Sequence, residues 1–286
     1  MNVIKNEPMK NHTSFKIGGI ADEFCAPSSI EEIVECIKYA KKKNIPYFVI
    51  GNGSNILVSD KGIRGLVIKI SGEFSRYEIC GDIIKAQSGV LLSVLAKAAQ
   101  KDSLSGMEFA SGIPGTLGGA VYMNAGAYGG EMSDIVKSVT YLENGEIKKI
   151  ENGFDFGYRK SLFAKIGAVV LEAELQLKKG NTDEIKAKME DYKVRRTEKQ
   201  PLNFPSAGSV FKRPEGHFAG GLIEDAGLKG FETGGAKVSE KHAGFIINTG
   251  DATASDVLKL IKHIQKTVKE KYGVELETEV KLMGEF

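Results

Sequence analysis

The sequence predicts an α+β protein in which two sheet-bearing units precede a smaller α/β unit, and three observations carry that reading. An amphipathic helix sits between short apolar runs at the front. Two glycine-centred hairpin signals mark the middle as antiparallel sheet, and a break at Gln200-Pro201 separates it from a segment dominated by one long helix. The expected boundaries are 1–75, 76–200 and 201–286.

In the first block, Ser29-Ile30-Glu31-Glu32 has the capping-box pattern, and Ile30, Ile33, Val34 and Ile37 fall on one helical face before Lys41-Lys42-Lys43. Ile45-Pro46 closes that helix. Strands follow at Tyr47–Ile50 and Gly65–Ile70. In the second block, Tyr77–Cys80 and Ile83–Gln87 flank Gly81-Asp82, while Val136–Leu142 and Glu146–Ile150 flank Asn144-Gly145, the pairing that positive-φ hairpin turns favour. Val90–Ala99 is predicted helical, Val169–Leu177 alternates as a strand, and Asn181 with Glu184 opens a charged helix through Glu198. The third block holds a short helix near Gly220–Ala226, a strand at Gly244–Asn248 and a helix over Ala254–Tyr272. It closes with a strand in which Val274, Leu276, Val280 and Leu282 point inward.

Composition narrows the function classes. With 286 residues, 42% hydrophobic and 27% charged, the chain reads as a soluble globular protein. A net charge of +2 without a basic stripe argues against nucleic acid. No apolar run approaches a membrane span and no signal-peptide core opens the chain, so a cytoplasmic location and no membrane partner are expected. Cys25, Cys36 and Cys80 are odd in number and widely spaced, which suggests buried thiols. His12, His217, His242 and His263 form no ligand pattern, so no metal is expected.

Two glycine-rich stretches interrupt the regular pattern. Gly51-Asn52-Gly53-Ser54-Asn55 follows a strand directly and can turn several backbone N–H groups into one concavity, a geometry suited to a diphosphate. A tight strand-to-strand turn would use the same residues. The second stretch runs from Ser111 to Gly129, with Ile113, Leu117, Val121 and Met123 interleaved among small residues, unlike a solvated linker. There backbone can approach a flat ring closely. Neither GxGxxG nor GxxxxGK[ST] occurs, so the cradle belongs neither to a doubly wound dinucleotide fold nor to a P-loop.

A GxGSN turn followed roughly 60 residues later by IPGTxGGAxxxNAGAYG resembles flavoproteins of the vanillyl-alcohol oxidase type, and within them the UDP-N-acetylenolpyruvoylglucosamine reductase family (MurB). The likeness extends over nearly the whole chain, through His12–Gly19, Tyr158-Arg159-Lys160-Ser161, Gly208-Ser209-Val210-Phe211-Lys212 and Glu277-Thr278-Glu279-Val280. The interval from Ser161 to Ser209 is short for the substrate-capping tyrosine loop of some members, which implies the compact subtype. The resemblance implies a two-subdomain FAD-binding domain with a smaller C-terminal substrate domain whose last strand, 274–283, returns to the flavin site. It implies non-covalent FAD held by Gly51, Asn52, Gly53, Ser54 and Asn55 and by Ile113, Pro114, Gly115, Thr116, Gly118, Gly119, Ala120, Asn124 and Gly126. NADPH would reduce the flavin, and a monomer would convert the enolpyruvyl UDP-sugar to UDP-N-acetylmuramate.

That chemistry asks for particular groups. Adding hydride to an alkene conjugated with a carboxylate builds negative charge beside a carboxylate, which calls for a permanently charged bidentate donor. Arg159 within YRKS qualifies, and an ordinary surface arginine is the competing view. Ser209 matches the family's proton donor, although a serine in a glycine loop more often forms a cap or turn. Glu279 matches the acid that stabilises the intermediate. By pattern alone Glu275, Glu277 and Glu279 share a solvated face, and Glu277 remains the rival. Tyr158, Arg196, Lys199 and Lys212 are implied as substrate ligands, with Arg195 competing with Arg196. Arg213 stands where the family commonly has asparagine.

Two other readings compete. A related FAD-dependent oxidase or dehydrogenase of hydroxy compounds would often tether its flavin through His or Cys, and neither occurs in 51–60 or 111–129. A catalytically silent nucleotide-binding protein would not need Arg159, Ser209 and Glu279 together.

Overall fold

The computed structural model describes residues 1–286. The chain forms two compact units, one of Met1–Ile4, Phe24–Asn52 and Gly65–Arg196, the other of Lys5–Glu23, Gly53–Arg64 and Thr197–Phe286. These units differ from the three consecutive blocks expected from the sequence. The reason is side-chain burial over long sequence separations. Ile33, Ile37 and Ala40 of the front helix share one core with Leu142, Val169 and Leu171 of the middle sheet, whereas Phe15, Ile17 and Leu57 lie in the core of the C-terminal residues.

The first unit is built on a five-stranded antiparallel sheet in the order Glu146–Ile150, Val136–Glu143, Val169–Gln176, Ile83–Gln87, Tyr77–Cys80. The hairpin at one edge pairs Glu143 with Glu146 across Asn144 and Gly145, whose φ values of 54° and 95° are what a two-residue primed turn requires. Helices Leu92–Lys101 and Leu117–Met123 bury Leu92, Leu95, Leu117 and Val121 in the same core as Val139, Tyr141 and Leu175. Tyr141 meets Phe163 edge to face at 5.3 Å. The amphipathic helix is Ile30–Lys42, capped by Ser29 Oγ, which accepts from the Glu32 N–H, and Tyr47–Ile50 pairs in parallel with Leu66–Lys69. Cys25 and Cys36 are buried with their sulfurs 2.9 Å apart. Cys80 is exposed, contrary to expectation, because it closes a hairpin at the sheet edge.

The second unit carries a four-stranded sheet in the order Ser206–Ser209, Phe245–Asn248, Ala236–Val238, Glu232–Thr233. The long helix Ala254–Tyr272 buries Val257, Leu260, Ile261, Ile264 and Val268 in the unit's core. Its first turn has two caps. Thr253 and Asp256 form a reciprocal capping box, and the Asp60 carboxylate accepts from the N–H groups of Ala254 at 2.7 Å and Ser255 at 2.9 Å. The closing strand is shorter than expected. Thr278 makes a single bridge to Phe211, and only Lys281–Met283 forms a strand, parallel to Ile56–Val58. Leu282, expected inward, is 44% exposed because the pairing partner changes after Val280. No helix is long and apolar enough to cross a membrane.

Replacing Asp60 by Ala leaves two N-terminal helix donors without their acceptor, and should cost about 1–2 kcal/mol of stability, seen as a lower thermal midpoint. A second expectation concerns pH. Burial pushes the His242 imidazole below its ordinary pKa of 6.5, and its Nδ1 accepts from the Gly244 N–H. The unfolded chain therefore takes up that proton first, so stability falls as pH drops below 6.5. In His242→Asn, the decline in thermal midpoint between about pH 7 and 5 should be shallower than in the parent chain.

Candidate active site

In the first unit the second glycine stretch forms the turn before, and the helix within, Leu117–Met123. Asn52 Nδ2 donates to the Pro114 carbonyl at 2.7 Å, so the start of the first stretch is tied to the second. Thr116 is buried with its hydroxyl under Gly51, where a Cβ would come within 2.3 Å of Oγ1. The glycines are not interchangeable. Gly118 and Gly126 allow close packing on Ser88 and on the Gly130 carbonyl, whereas a Cβ at Gly119 would meet nothing nearer than 3.7 Å.

Asn124 ends this helix in the left-handed conformation and is 0% exposed. Its Nδ2 donates to Glu131 Oε1 at 3.0 Å and to the Gly157 carbonyl at 3.1 Å, and its Oδ1 accepts from the Ser133 N–H at 2.9 Å. Both side-chain donors are thereby spent on protein. The bond to Gly157 anchors a two-residue hairpin, Gly157 to Lys160, with Tyr158 and Arg159 at its tip. Arg159 has φ 56° and its guanidinium lies over the Tyr158 ring at 5.0 Å. Ser161 fixes the hairpin's other end, donating to the Tyr122 carbonyl at 2.7 Å while capping the helix Leu162–Ile166. The structure thus joins YRxS to NAGAYG through residues that pattern reading had not singled out for this task.

Arg195 and Arg196 diverge. Arg195 pairs with Asp191 on the exposed face of the helix Thr182–Lys199, with Nη2 to Oδ2 at 2.8 Å. Arg196 is half-buried, with its Cδ against Gly112. Burial holds its pKa below the ordinary arginine value, and the neighbouring Tyr128 hydroxyl opposes that shift. Tyr128 stacks on Tyr192 at 4.4 Å.

In the second unit Gly53 has φ 67°, and a Cβ there would stand 2.0 Å from the His12 carbonyl oxygen. The Ser14 N–H donates to the Gly53 carbonyl at 3.1 Å, and Ser14 Oγ to the Ser206 carbonyl at 2.7 Å. The HTSF segment is thus a brace between the glycine turn and the serine strand. A register shift between Ser206 and Ser209, with Gly208 at φ 75°, sets Ser209 at the end of its strand. Alongside runs the acidic segment. The Glu279 N–H donates to the Val210 carbonyl at 2.7 Å, and the Lys212 N–H to the Glu277 carbonyl at 2.8 Å. Ser209 and Glu279 therefore lie on adjacent extended segments. Glu277 is exposed and its carboxylate pairs with Lys212 Nζ, which separates it from the half-buried Glu279 and gives Lys212 a partner. Lys199 is exposed at the helix end. The Arg213 guanidinium stacks over the Phe218 ring at 4.0 Å.

Residues 200–283 match the family model described as UDP-N-acetylenolpyruvoylglucosamine reductase, C-terminal domain, and residues 21–151 match an FAD binding domain. The UDP-N-acetylenolpyruvoylglucosamine reductase of Clostridioides difficile (strain 630) is 57% identical over 282 residues, 98% of this chain and 93% of that relative. The chain belongs to the UDP-N-acetylenolpyruvoylglucosamine reductase family. A reductase of the same description from Alkaliphilus oremlandii (strain OhILAs) is 55% identical over 285 residues, 99% of this chain and 94% of that one. The crystal structure of the family member from Thermus caldophilus aligns with a TM-score of 0.85 at 37% identity, covering 99% of this chain and 98% of that one.

The first unit's loops fit the flat, charged cofactor that an FAD binding domain takes. A Cβ at Gly119 would meet nothing nearer than ordinary van der Waals distance, so a ligand can approach its backbone closely, and the buried Ser88 hydroxyl beneath Gly118 has no hydrogen-bond partner. Gly53→Ala tests the first turn. The added methyl meets backbone and forces a positive-φ residue, so a loss of about 2–4 kcal/mol is expected, read as a lower thermal midpoint together with reduced flavin content.

Proposed function

We propose that this chain is an NADPH- and FAD-dependent oxidoreductase. It reduces the enolpyruvyl group of UDP-N-acetylglucosamine-enolpyruvate to give UDP-N-acetylmuramate, a step in peptidoglycan precursor synthesis. The observation that carries this reading is identity above one half along almost the full length of reductases of that name, with the YRxS, serine and closing acidic motifs all present.

FAD, reduced by NADPH, supplies the hydride when bound. The chain's own residues then manage charge and proton. Arg159 meets the substrate carboxylate with a fixed, bidentate positive charge, opposing the negative charge that develops next to it. Ser209 gives its hydroxyl proton to the carbon left electron-rich, and Glu279, on the neighbouring segment, stabilises the enol-like intermediate. Arg196 is the better diphosphate ligand of the adjacent pair, since Arg195 is engaged by Asp191. Tyr158, Lys199 and Lys212 complete the substrate contacts, Lys212 after exchanging its bond to Glu277. The substrate is a small UDP-sugar, and this reading takes the enzyme as a cytoplasmic monomer without nucleic-acid or membrane partners.

The test is a visible spectrum during anaerobic NADPH addition, then addition of the enolpyruvyl sugar. Flavin absorbance should bleach and return. Ser209→Ala should leave bleaching by NADPH nearly intact and slow its return by about two orders of magnitude or more, because only that half-reaction uses the serine's proton. Equal slowing of both halves would remove Ser209 from the donor role.

A further inference from the structure

Within the second unit the glycine turn and the acid are fastened to one another. Asn55 Nδ2 donates to the Glu279 carbonyl at 3.2 Å, and the Asn55 carbonyl accepts from the Lys281 N–H at 3.0 Å. One residue of the turn therefore grips the chain on both sides of Val280. The location is the handover between two pairings, since Val210 to Lys212 serve the segment before Val280 and Ile56–Val58 the strand after it. At this handover the Asn55 amide is a hydrogen-bond partner of the Glu279 carbonyl. The Glu279 N–H is held by Val210, next to Ser209, and its carbonyl by Asn55, next to Ser54 and Gly53.

We propose that Asn55 is a positioning residue for Glu279. Through it, a diphosphate seated on the Gly53–Asn55 turn sets where the acid stands beside Ser209. This rests on the function proposed above for Glu279, but the tie itself does not. The Asn55 side chain is the part a substitution can remove, because the Lys281 bond uses backbone and survives any replacement. Its second amide hydrogen is left over from the bond to Glu279 and can face an anion. Cradle occupancy and acid placement thereby share one amide group.

The experiment compares the flavin-loaded parent with Asn55→Ala by residue-resolved hydrogen–deuterium exchange and by separated half-reactions at equal flavin content. Exchange at the Glu279 amide should be at least about tenfold faster in the variant, with the Lys281 amide, whose bond uses backbone, changing less. Reoxidation by substrate should fall about tenfold more than reduction by NADPH. Unchanged protection at the Glu279 amide, or equal loss in both half-reactions, overturns the proposal. Should Asn55→Ala not retain flavin, the flavin-free parent is compared with flavin-free Asn55→Asp, which keeps the shape and replaces the donor by an acceptor. The same loss of protection is expected there, and equal protection overturns the tie. Glu279→Gln keeps the tie, so an unimpaired reoxidation in that variant would remove Glu279 from the chemistry while leaving the exchange result standing.

Discussion

The second unit depends on a position where any side chain would collide with backbone. At Gly53 the His12 carbonyl comes so close that a Cβ would lie 2.0 Å from its oxygen, and the positive φ needed for that approach is one that other residues adopt only at a cost. What this proximity gains is a continuous run of braced backbone. His12 to Ser14 hold Gly53, Ser14 also holds Ser206, and Asn55 holds Glu279. Segments far apart in the chain are thereby registered against one turn, by the main-chain bond from Ser14 to Gly53 and by the Ser14 and Asn55 side chains donating to main-chain carbonyls.

The first unit solves a similar problem around one buried amide. Asn124, fully enclosed, spends its amide on three partners and in doing so fixes the hairpin that carries Tyr158 and Arg159. Ser161 closes the hairpin from the other side. An arginine in the left-handed region is costly on its own, and this double anchoring is what over-determines it. Arg159 is therefore presented by a hairpin anchored on both sides.

Elements governed by local rules were legible in the sequence. The Asn144-Gly145 hairpin follows from two adjacent positive φ values, and the helix Ala254–Tyr272 from a capping box and an apolar stripe, so short windows sufficed. What needed distant partners was not. Nothing near residue 282 announces that pairing passes from Phe211, opposite Thr278, to Ile56–Val58, opposite Lys281–Met283, and so alternation alone places Leu282 on the wrong side. Alternation placed Glu277 and Glu279 on one face and could not separate them, whereas the Lys212 partner does. Motif reading put Asn124 and Gly118 among cofactor ligands. The structure adds contacts that motif reading does not foresee, the Asn124 amide bonded to Glu131, Gly157 and Ser133 and Gly118 packed on Ser88, because both depend on residues distant in the chain.

The bond from Asn55 to Glu279 joins positions 224 residues apart, and the strand beside Ile56–Val58 comes from residues 281–283. During synthesis the turn leaves the ribosome long before its partners exist. A nascent chain can form the local hairpins and the front helix as it emerges, but the Gly53–Asn55 turn acquires these braces only after residues 279–283 have emerged as well. Until then the Asn55 carbonyl and side-chain amide answer to solvent alone, so the turn takes its final form late in this chain's folding.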